Sequence, residues 1–135
     1  MYELADSENI KIDDFPMSAI SSQSQMTLDG SCHIALDSRQ FRTQAEEKVA
    51  LGHEVGHCLT GSFYNRYSRF DLRVRHERRA NKKAAYMLIP LNVLITALES
   101  PWNSVFDLAE HFGVTENFMR ITLEIYENEL REISV

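Results

Sequence analysis

The most informative stretch of the sequence is Leu51-Gly52-His53-Glu54-Val55-Gly56-His57-Cys58-Leu59, because it contains the pattern His-Glu-x-x-His. On a helix, side chains at i and i+4 lie on the same face, so the imidazoles of His53 and His57 can bind one metal ion. Glu54 is placed to accept a proton from water rather than to bind the metal. The alternative is a core helix whose two histidines are only buried and hydrogen-bonded. The stretch predicts a helix with two ligands and a base.

The flanking residues favour a helix at this position. Between Ser38 and Ala50 there is no Gly or Pro, and apolar residues recur at helical spacing. Gly61 stands where a glycine commonly ends a helix. We therefore expect an amphipathic helix that begins near Ser38, carries the motif and ends at Gly61.

A second helical run, from Arg75 to Pro90, supplies the candidate third ligand, Glu77. Asn81 follows at i+4 on the same face, where its side chain can hydrogen-bond the outer nitrogen of a ligand histidine. Two histidines, one glutamate and an open position form a catalytic type of zinc site, whereas a structural site generally fills all four positions. Manganese or iron could occupy such a site as well.

Length and composition indicate one domain. The chain has 135 residues, of which 44% are hydrophobic, and this is enough for a single core. We expect a small sheet in residues 1–40, ligand helices in 41–100 and a helical tail in 101–135. The acidic N-terminus does not resemble a signal peptide and no run is long enough to span a membrane, which predicts a cytoplasmic protein.

Cys32 and Cys58 are predicted to be small buried residues, because disulfides are rare in the cytoplasm. A metal-capping thiolate at Cys32 is a less favoured alternative.

The first forty residues predict an antiparallel sheet that covers one side of the motif helix, and hence an α+β fold. Residues 10–12 and 25–28 alternate as strands do, and Asp29-Gly30 is a hairpin signal before the strand 32–37. Residues 18–24 are predicted to be a loop or an irregular edge strand. His33, which alternates to one face of its strand, is predicted to be a surface or partly buried residue and not a ligand.

The segment between the two ligand helices is rich in aromatic residues without clear periodicity and is predicted to be an ordered loop. Tyr64, Tyr67 and His76 are candidates for contacting the substrate or stabilising the oxyanion that forms when water attacks a carbonyl. The alternative for each is packing under the loop.

Charge is unevenly distributed along the chain. Residues 66–83 contain eight of the 14 basic residues, although the formal net charge is −6. This run is either a solvated helix face or a surface that attracts an acidic protein segment.

The tail after Pro101 predicts two helices joined by a turn containing Gly113, with Thr115 as N-cap, as in a helix-turn-helix. Seven acidic residues against two basic ones make this tail unsuited to DNA, so it is expected to pack on the ligand helices.

Taken together, these motifs resemble the ImmA/IrrE family of metallopeptidases. The similarity rests on His53 to Tyr64, Arg75 to Asn81, Leu88 to Pro90 and the helix-turn-helix-like tail, and it covers about residue 30 to the C-terminus. The resemblance implies that His53, His57 and Glu77 bind zinc and that Glu54 is the catalytic acid/base. It also implies an intracellular anti-repressor, typically encoded by phages or integrative elements, that cleaves a helix-turn-helix repressor.

Three classes of function therefore compete. The complete set of metal and base residues favours a zinc peptidase that acts on a protein substrate. A metal-bound, non-catalytic interaction protein would have no use for the base Glu54. A DNA-binding regulator is disfavoured by the acidic tail.

Overall fold

The computed structural model describes residues 1–63 and 68–133. Within these residues the chain is α+β, as the sequence predicts, with a small sheet and a larger helical part. In chain order the elements are α1 (Tyr2–Ser7), β1 (Lys11–Asp14), β2 (Ser22–Met26), β3 (Cys32–Leu36), a 3-10 turn (Ser38–Gln40), α2 (Gln44–Thr60), α3 (Phe70–Leu88), α4 (Leu91–Leu98), α5 (Val105–Phe112) and α6 (Glu116–Ile133). The division of the chain into a single domain stays a prediction.

The sheet has the strand order β1-β3-β2. β2 pairs antiparallel with β3 through the turn at Asp29-Gly30, as expected, and Gly30 adopts a φ of 85° that favours glycine. β1, however, pairs parallel with β3, so the sheet is mixed and the prediction of a wholly antiparallel sheet is wrong. The reason is that residues 15–21 carry the chain from β1 to the far edge of β3. Such a crossover allows parallel pairing, which a tight hairpin cannot.

The sheet packs on α2 through the central strand. Cys32, Ile34 and Leu36 alternate along β3 and are buried, together with Leu51 and Val55 of α2. β2 lies at the edge of the sheet and also contacts α2. The sheet thus covers the helix that carries the His-Glu-x-x-His motif.

α2 begins later than the periodicity predicts. Thr43 is the N-cap, and its hydroxyl accepts a hydrogen bond from the Glu46 N–H at 3.1 Å. Ser38 belongs to a separate 3-10 turn, because the Asp37 side chain accepts from the Arg39 N–H and caps that turn. The helix ends at Gly61 with a φ of 65°, as predicted.

Two glycines let α3 approach α2 closely. A Cβ built at Gly56 would lie 2.4 Å from the backbone oxygen of Ala80, and one at Gly52 would lie 2.8 Å from the Leu88 side chain. Both glycines lie one helical turn apart on the face toward α3. Since Ala80 follows Glu77 by about one turn, this approach brings Glu77 to the histidines.

The tail forms the second core, together with α3 and α4. Its buried residues are Ala84, Ala85, Ile89, Leu94, Leu108, Ala109, Phe112, Val114, Phe118, Met119 and Tyr126. Ser104 forms a capping box with Asp107, and Thr115 accepts the Phe118 N–H at 3.1 Å, which confirms the predicted N-cap. The Tyr126 hydroxyl donates to the Ile89 carbonyl at 2.8 Å. The helix pair therefore packs against α3, as expected.

No helix in the described part of the chain is long and apolar enough to cross a bilayer.

A disulfide joins Cys32 to Cys58, so the prediction of two separate buried cysteines is wrong. The packing of β3 on α2 brings the two Cα atoms to 5.7 Å, inside the range of about 4.4–6.8 Å in which disulfides form. The alternative of a Cys32 thiolate on the metal is wrong too, because its sulfur is bonded to Cys58.

Candidate metal centre

Three side chains from two helices converge on one point. His53 and His57 project from the same face of α2, with their Nε2 atoms 3.1 Å apart. Glu77 of α3 reaches both rings, with one carboxylate oxygen 2.7 Å from His53 Nε2 and the other 3.2 Å from His57 Nε2. One candidate ligand atom from each of the three residues lies within 4.8 Å of the others.

The outer nitrogen of each histidine is held by a neighbouring group. His53 Nδ1 lies 2.8 Å from the Asn81 amide oxygen, to which an N–H at Nδ1 donates. His57 Nδ1 is hydrogen-bonded in the same way to the carbonyl of Ser62. With Nδ1 protonated, each neutral imidazole keeps the Nε2 lone pair for a ligand, and both lone pairs face Glu77.

This donor set fits a divalent transition metal. Two imidazole nitrogens and a carboxylate are common zinc ligands, and their spacing of 2.7–3.2 Å is close to the ~3.3 Å edge of a tetrahedral site with zinc bonds of about 2.0–2.1 Å. With three protein ligands, one position remains for water or substrate. The cluster could therefore hold a catalytic rather than a structural metal.

The carboxylate of Glu54 lies beside the cluster and is buried, at 6% exposure. It is held by two serines of the edge strand. The Ser22 hydroxyl donates to Oε2 and the Ser24 hydroxyl donates to Oε1, each at 2.9 Å. No other side chain within residues 1–63 and 68–133 donates to this carboxylate.

A cleft of about 310 Å³ opens over these groups. The residues that line it are Ile20, Ser22, Gln23, Ser24, His53, Glu54, His57, Ser62, Phe63 and Glu77. Glu54, the three candidate ligands and the edge strand β2 thus face a common space.

The outer edge of β2 presents backbone groups along this cleft. Asp37 N–H donates to the Ser21 carbonyl at 2.9 Å and Thr27 N–H donates to the Ser31 carbonyl at 2.8 Å. Hydrogen-bonded pairs alternate along an antiparallel ladder, so the N–H and C=O groups of Ser22, Ser24 and Met26 point away from β3. These groups can pair with an extended peptide.

A second cavity, of about 450 Å³, lies on the other side of Glu77. It is lined by Phe70, Arg73, Val74, Glu77, Arg78 and Asn81. Neither arginine forms an ion pair with a residue that the structure describes, whereas Arg69 and Arg75 each lie 3.6 Å from the carboxylate of Asp71. The basic run seen in the sequence therefore presents two cations beside the metal site.

The other predicted residues are placed as follows. His76 is half-buried on α3 but does not line the cleft, because adjacent helical positions point about 100° apart. Its oxyanion role stays a prediction. Tyr64 and Tyr67 lie outside the described residues. His33 is half-buried, with Nε2 3.4 Å from the Ser31 hydroxyl, and it is not part of the metal cluster.

The sequence reasoning missed Ser22, Ser24 and Ser62. The two serines of β2 carry a weak signal, since residues at i and i+2 of a strand share a face. Nothing in the sequence shows which strand faces Glu54. Ser62 acts through its backbone carbonyl, which any residue would supply, so its type carries no signal.

Comparison with known proteins agrees with this geometry. No curated protein and no solved structure was found to match the chain. The profile of the family Peptidase_M78, described as IrrE N-terminal-like domain, matches residues 6–124 and so includes α2, α3, Glu54 and the edge strand β2. The chain belongs to this family of peptidases, the IrrE N-terminal-like group.

Proposed function

We propose that this protein is a zinc-dependent endopeptidase that cleaves a helix-turn-helix transcriptional repressor in the cytoplasm and so acts as an anti-repressor. The observation that carries the peptidase chemistry is the meeting of His53, His57 and Glu77 beside the buried carboxylate of Glu54, in one cleft. A non-catalytic metal clamp would not need this base.

The proposed roles of the residues follow from the geometry. His53, His57 and Glu77 would hold the zinc ion, and Asn81 and the Ser62 carbonyl keep both imidazoles oriented toward it. A bound zinc lowers the pKa of a coordinated water and polarises the substrate carbonyl. Glu54 accepts a proton from the attacking water as the oxygen bonds to the carbonyl carbon. It then donates that proton to the amide nitrogen as the C–N bond breaks, which leaves a carboxylic acid and an amine.

The substrate segment is proposed to lie extended along the outer edge of β2. The outward N–H and C=O groups of Ser22, Ser24 and Met26 would pair with its backbone, and the strand passes beside Glu54. A peptide bond held there is within reach of both the base and the metal. A segment that is already extended or locally unfolded fits this edge better than an intact helix.

Charge supports an acidic segment as substrate. Arg73 and Arg78 line the cavity next to Glu77, where a substrate carboxylate would neutralise them. The tail after Pro101 is acidic and packs against α3, so DNA binding by this part of the chain is not favoured.

The test is incubation of the zinc-loaded protein with a repressor encoded beside its gene, followed by mass analysis of the fragments. We expect a defined cut that chelator abolishes and added zinc restores. Uncut repressor, with zinc bound at a stoichiometry of about one, would contradict peptidase activity on this substrate. The same preparation, incubated with a library of unstructured peptides, distinguishes a wrong substrate from a protein that does not cleave peptides at all.

A further inference from the structure

The carboxylate of Glu54 is hydrogen-bonded by side chains that lie outside its own helix, α2. Ser22 and Ser24 lie on β2, about thirty residues before Glu54 in the chain, and each of their hydroxyls donates to a different carboxylate oxygen. Both oxygens therefore have a fixed donor, and the plane of the carboxylate is defined as well as its position. Each oxygen keeps lone-pair capacity for a water molecule.

The two donors are themselves held on a rigid support. Ser22 and Ser24 are half-buried and alternate with the exposed Gln23, so their side chains share the face of β2 that packs on α2. Their strand is paired with β3 over its full length, from Ser22 opposite Leu36 to Met26 opposite Cys32. The backbone that carries the donors cannot shift without disturbing this ladder.

A buried glutamate needs such donors for two reasons. The residue is only 6% exposed, and a carboxylate out of water is costly unless it is hydrogen-bonded. In addition, the Glu side chain has rotatable χ angles, so an unheld carboxylate could turn away from the cleft or bind the metal directly. Either movement would remove the base from the position where it can take a proton.

We propose that Ser22 and Ser24 are positioning residues, whose hydroxyls hold the Glu54 carboxylate in the orientation in which it accepts a proton from the attacking water. The inference rests on the proposed peptidase function. It adds that the base depends on the edge strand, and that the strand expected to bind the substrate also aligns the catalytic group.

The first test is kinetic and uses the zinc-loaded full chain with a peptide that the parent cleaves. Ser22→Ala, Ser24→Ala and the double variant should keep their zinc content and their fold, with a lower melting temperature because the buried carboxylate loses its donors. Their kcat should fall by a factor on the order of 10 to 100, the usual cost of losing a group that orients a metal-site residue, with KM nearly unchanged. Ser22→Thr and Ser24→Thr keep the hydroxyl and suit a strand, so they should retain most of the rate.

Two controls separate positioning from a general effect on the strand. Gln25→Ala changes an exposed side chain of β2 that does not contact Glu54, and it should leave kcat unchanged. In a Glu54→Gln background, removing the two hydroxyls should cause little further loss, because groups that act as one unit are not additive. Full independent losses in that background would show that the serines act elsewhere.

The second test does not depend on activity. Crystal structures of the zinc-loaded parent and the double alanine variant should show the Glu54 carboxylate ordered in the parent and displaced or spread over several rotamers in the variant. An unchanged, ordered carboxylate in the variant would overturn the inference, as would an unchanged kcat. If the parent does not cleave any peptide, the proposed function fails, and the position of Glu54 in these crystals still decides the role of the serines.

Discussion

At the scale of single residues, the site depends on where each imidazole places its proton. Asn81 and the Ser62 carbonyl each bind an Nδ1 atom, which leaves the two Nε2 atoms for a metal. Glu54 is adjacent to His53 in the chain, yet its carboxylate is bound by serines and is not one of the clustered ligand groups. One short helical stretch thus keeps the candidate metal ligands apart from the candidate base.

Glu54→Gln should separate these two roles. The amide keeps the size of the side chain and an accepting oxygen but cannot take a proton. Zinc content should be unchanged, while cleavage falls by a factor on the order of 10² to 10⁴. Metal analysis and fragment mass analysis check the two parts, and His57→Ala should lose both. A glutamine variant that cleaves at the parent rate would mean that Glu54 is not the base.

Asp37 is a buried carboxylate whose titration should affect stability. Hydrogen bonds from Arg39, Met17 N–H and Gln40 hold the pKa of its carboxyl below the ordinary value of 3.8. A lowered pKa in the folded state means that the contribution is complete above the ordinary value and is lost as the pH falls below it. Asp37→Asn should therefore lower the free energy of unfolding at neutral pH. On acidification below about pH 4, the variant should lose less stability than the parent. Urea unfolding of both proteins from pH 7 to pH 2 measures this, and parallel curves would contradict it.

At the scale of elements, the site is a product of how closely α2 and α3 pack. Gly56 faces the backbone of Ala80, so the two helices meet without an intervening side chain. The histidines come from one helix and the glutamate from the other. Their convergence within hydrogen-bonding distance therefore depends on the separation of the helix axes.

Gly56→Ala should separate α2 from α3. The new Cβ would lie 2.4 Å from the Ala80 oxygen, and backbone cannot yield as a side-chain tip can. We expect a net destabilisation of about 1–3 kcal/mol, after a gain in helix propensity of about 1 kcal/mol, together with weaker zinc binding. Gly52→Ala is the matched control, because it meets only the end of the Leu88 side chain. Equal zinc affinity in both variants, measured by competition with a chelator, would contradict this account.

The basic face of α3 should affect substrate choice rather than chemistry. Reversing Arg73 and Arg78 to glutamate places negative charge in the cavity beside Glu77. Cleavage of peptides with acidic residues near the cut should fall, with a weaker effect in high salt, while neutral peptides are cut as before. Arg79→Glu is the control, since Arg79 is exposed on α3 but does not line the cavity. Profiling of a peptide library with each variant tests the idea, and identical profiles would refute it.

At the scale of the whole molecule, two buried clusters meet along the ligand helices. One joins the sheet to α2, and the other joins α3 and α4 to the tail helices. Lys48 of α2 donates to the Phe112 carbonyl at 2.6 Å and so ties the motif helix to the tail as well. The disulfide adds a covalent link between β3 and the end of α2, next to His57.

Removing this link should lower stability without removing the metal site. The bond spans 26 residues, for which restriction of the unfolded chain corresponds to about 3.5 kcal/mol. Cys32→Ala/Cys58→Ala should unfold at a lower denaturant concentration than the oxidised parent and at a similar one to the reduced parent. Urea titration with and without reductant measures the difference, and thiol labelling in cells reports which form exists there. A variant as stable as the oxidised parent would show that the bond contributes nothing.

Much of the helical part of the fold could be predicted from the sequence, because its signals are local. The period of a helix places His53 and His57 on one face, and the chemistry of helix ends and turns locates Gly61, Thr115 and Asp29-Gly30. Each of these statements concerns residues that are close in the chain. The pairing of Glu77 with this motif could be predicted from residue types and the resemblance. Its distance to the histidines could not, because that distance depends on how two helices pack.

From the sequence alone, ligand type and helical spacing suffice to predict which residues can bind a metal and which can take a proton. Tertiary structure alone decided that β1 runs parallel to β3, that Cys32 meets Cys58 and that two serines hold Glu54. These features join residues that are distant in the chain. They depend on how the strands are ordered in the sheet and how the sheet packs on α2, and that is settled by packing of the buried faces and not by any local pattern.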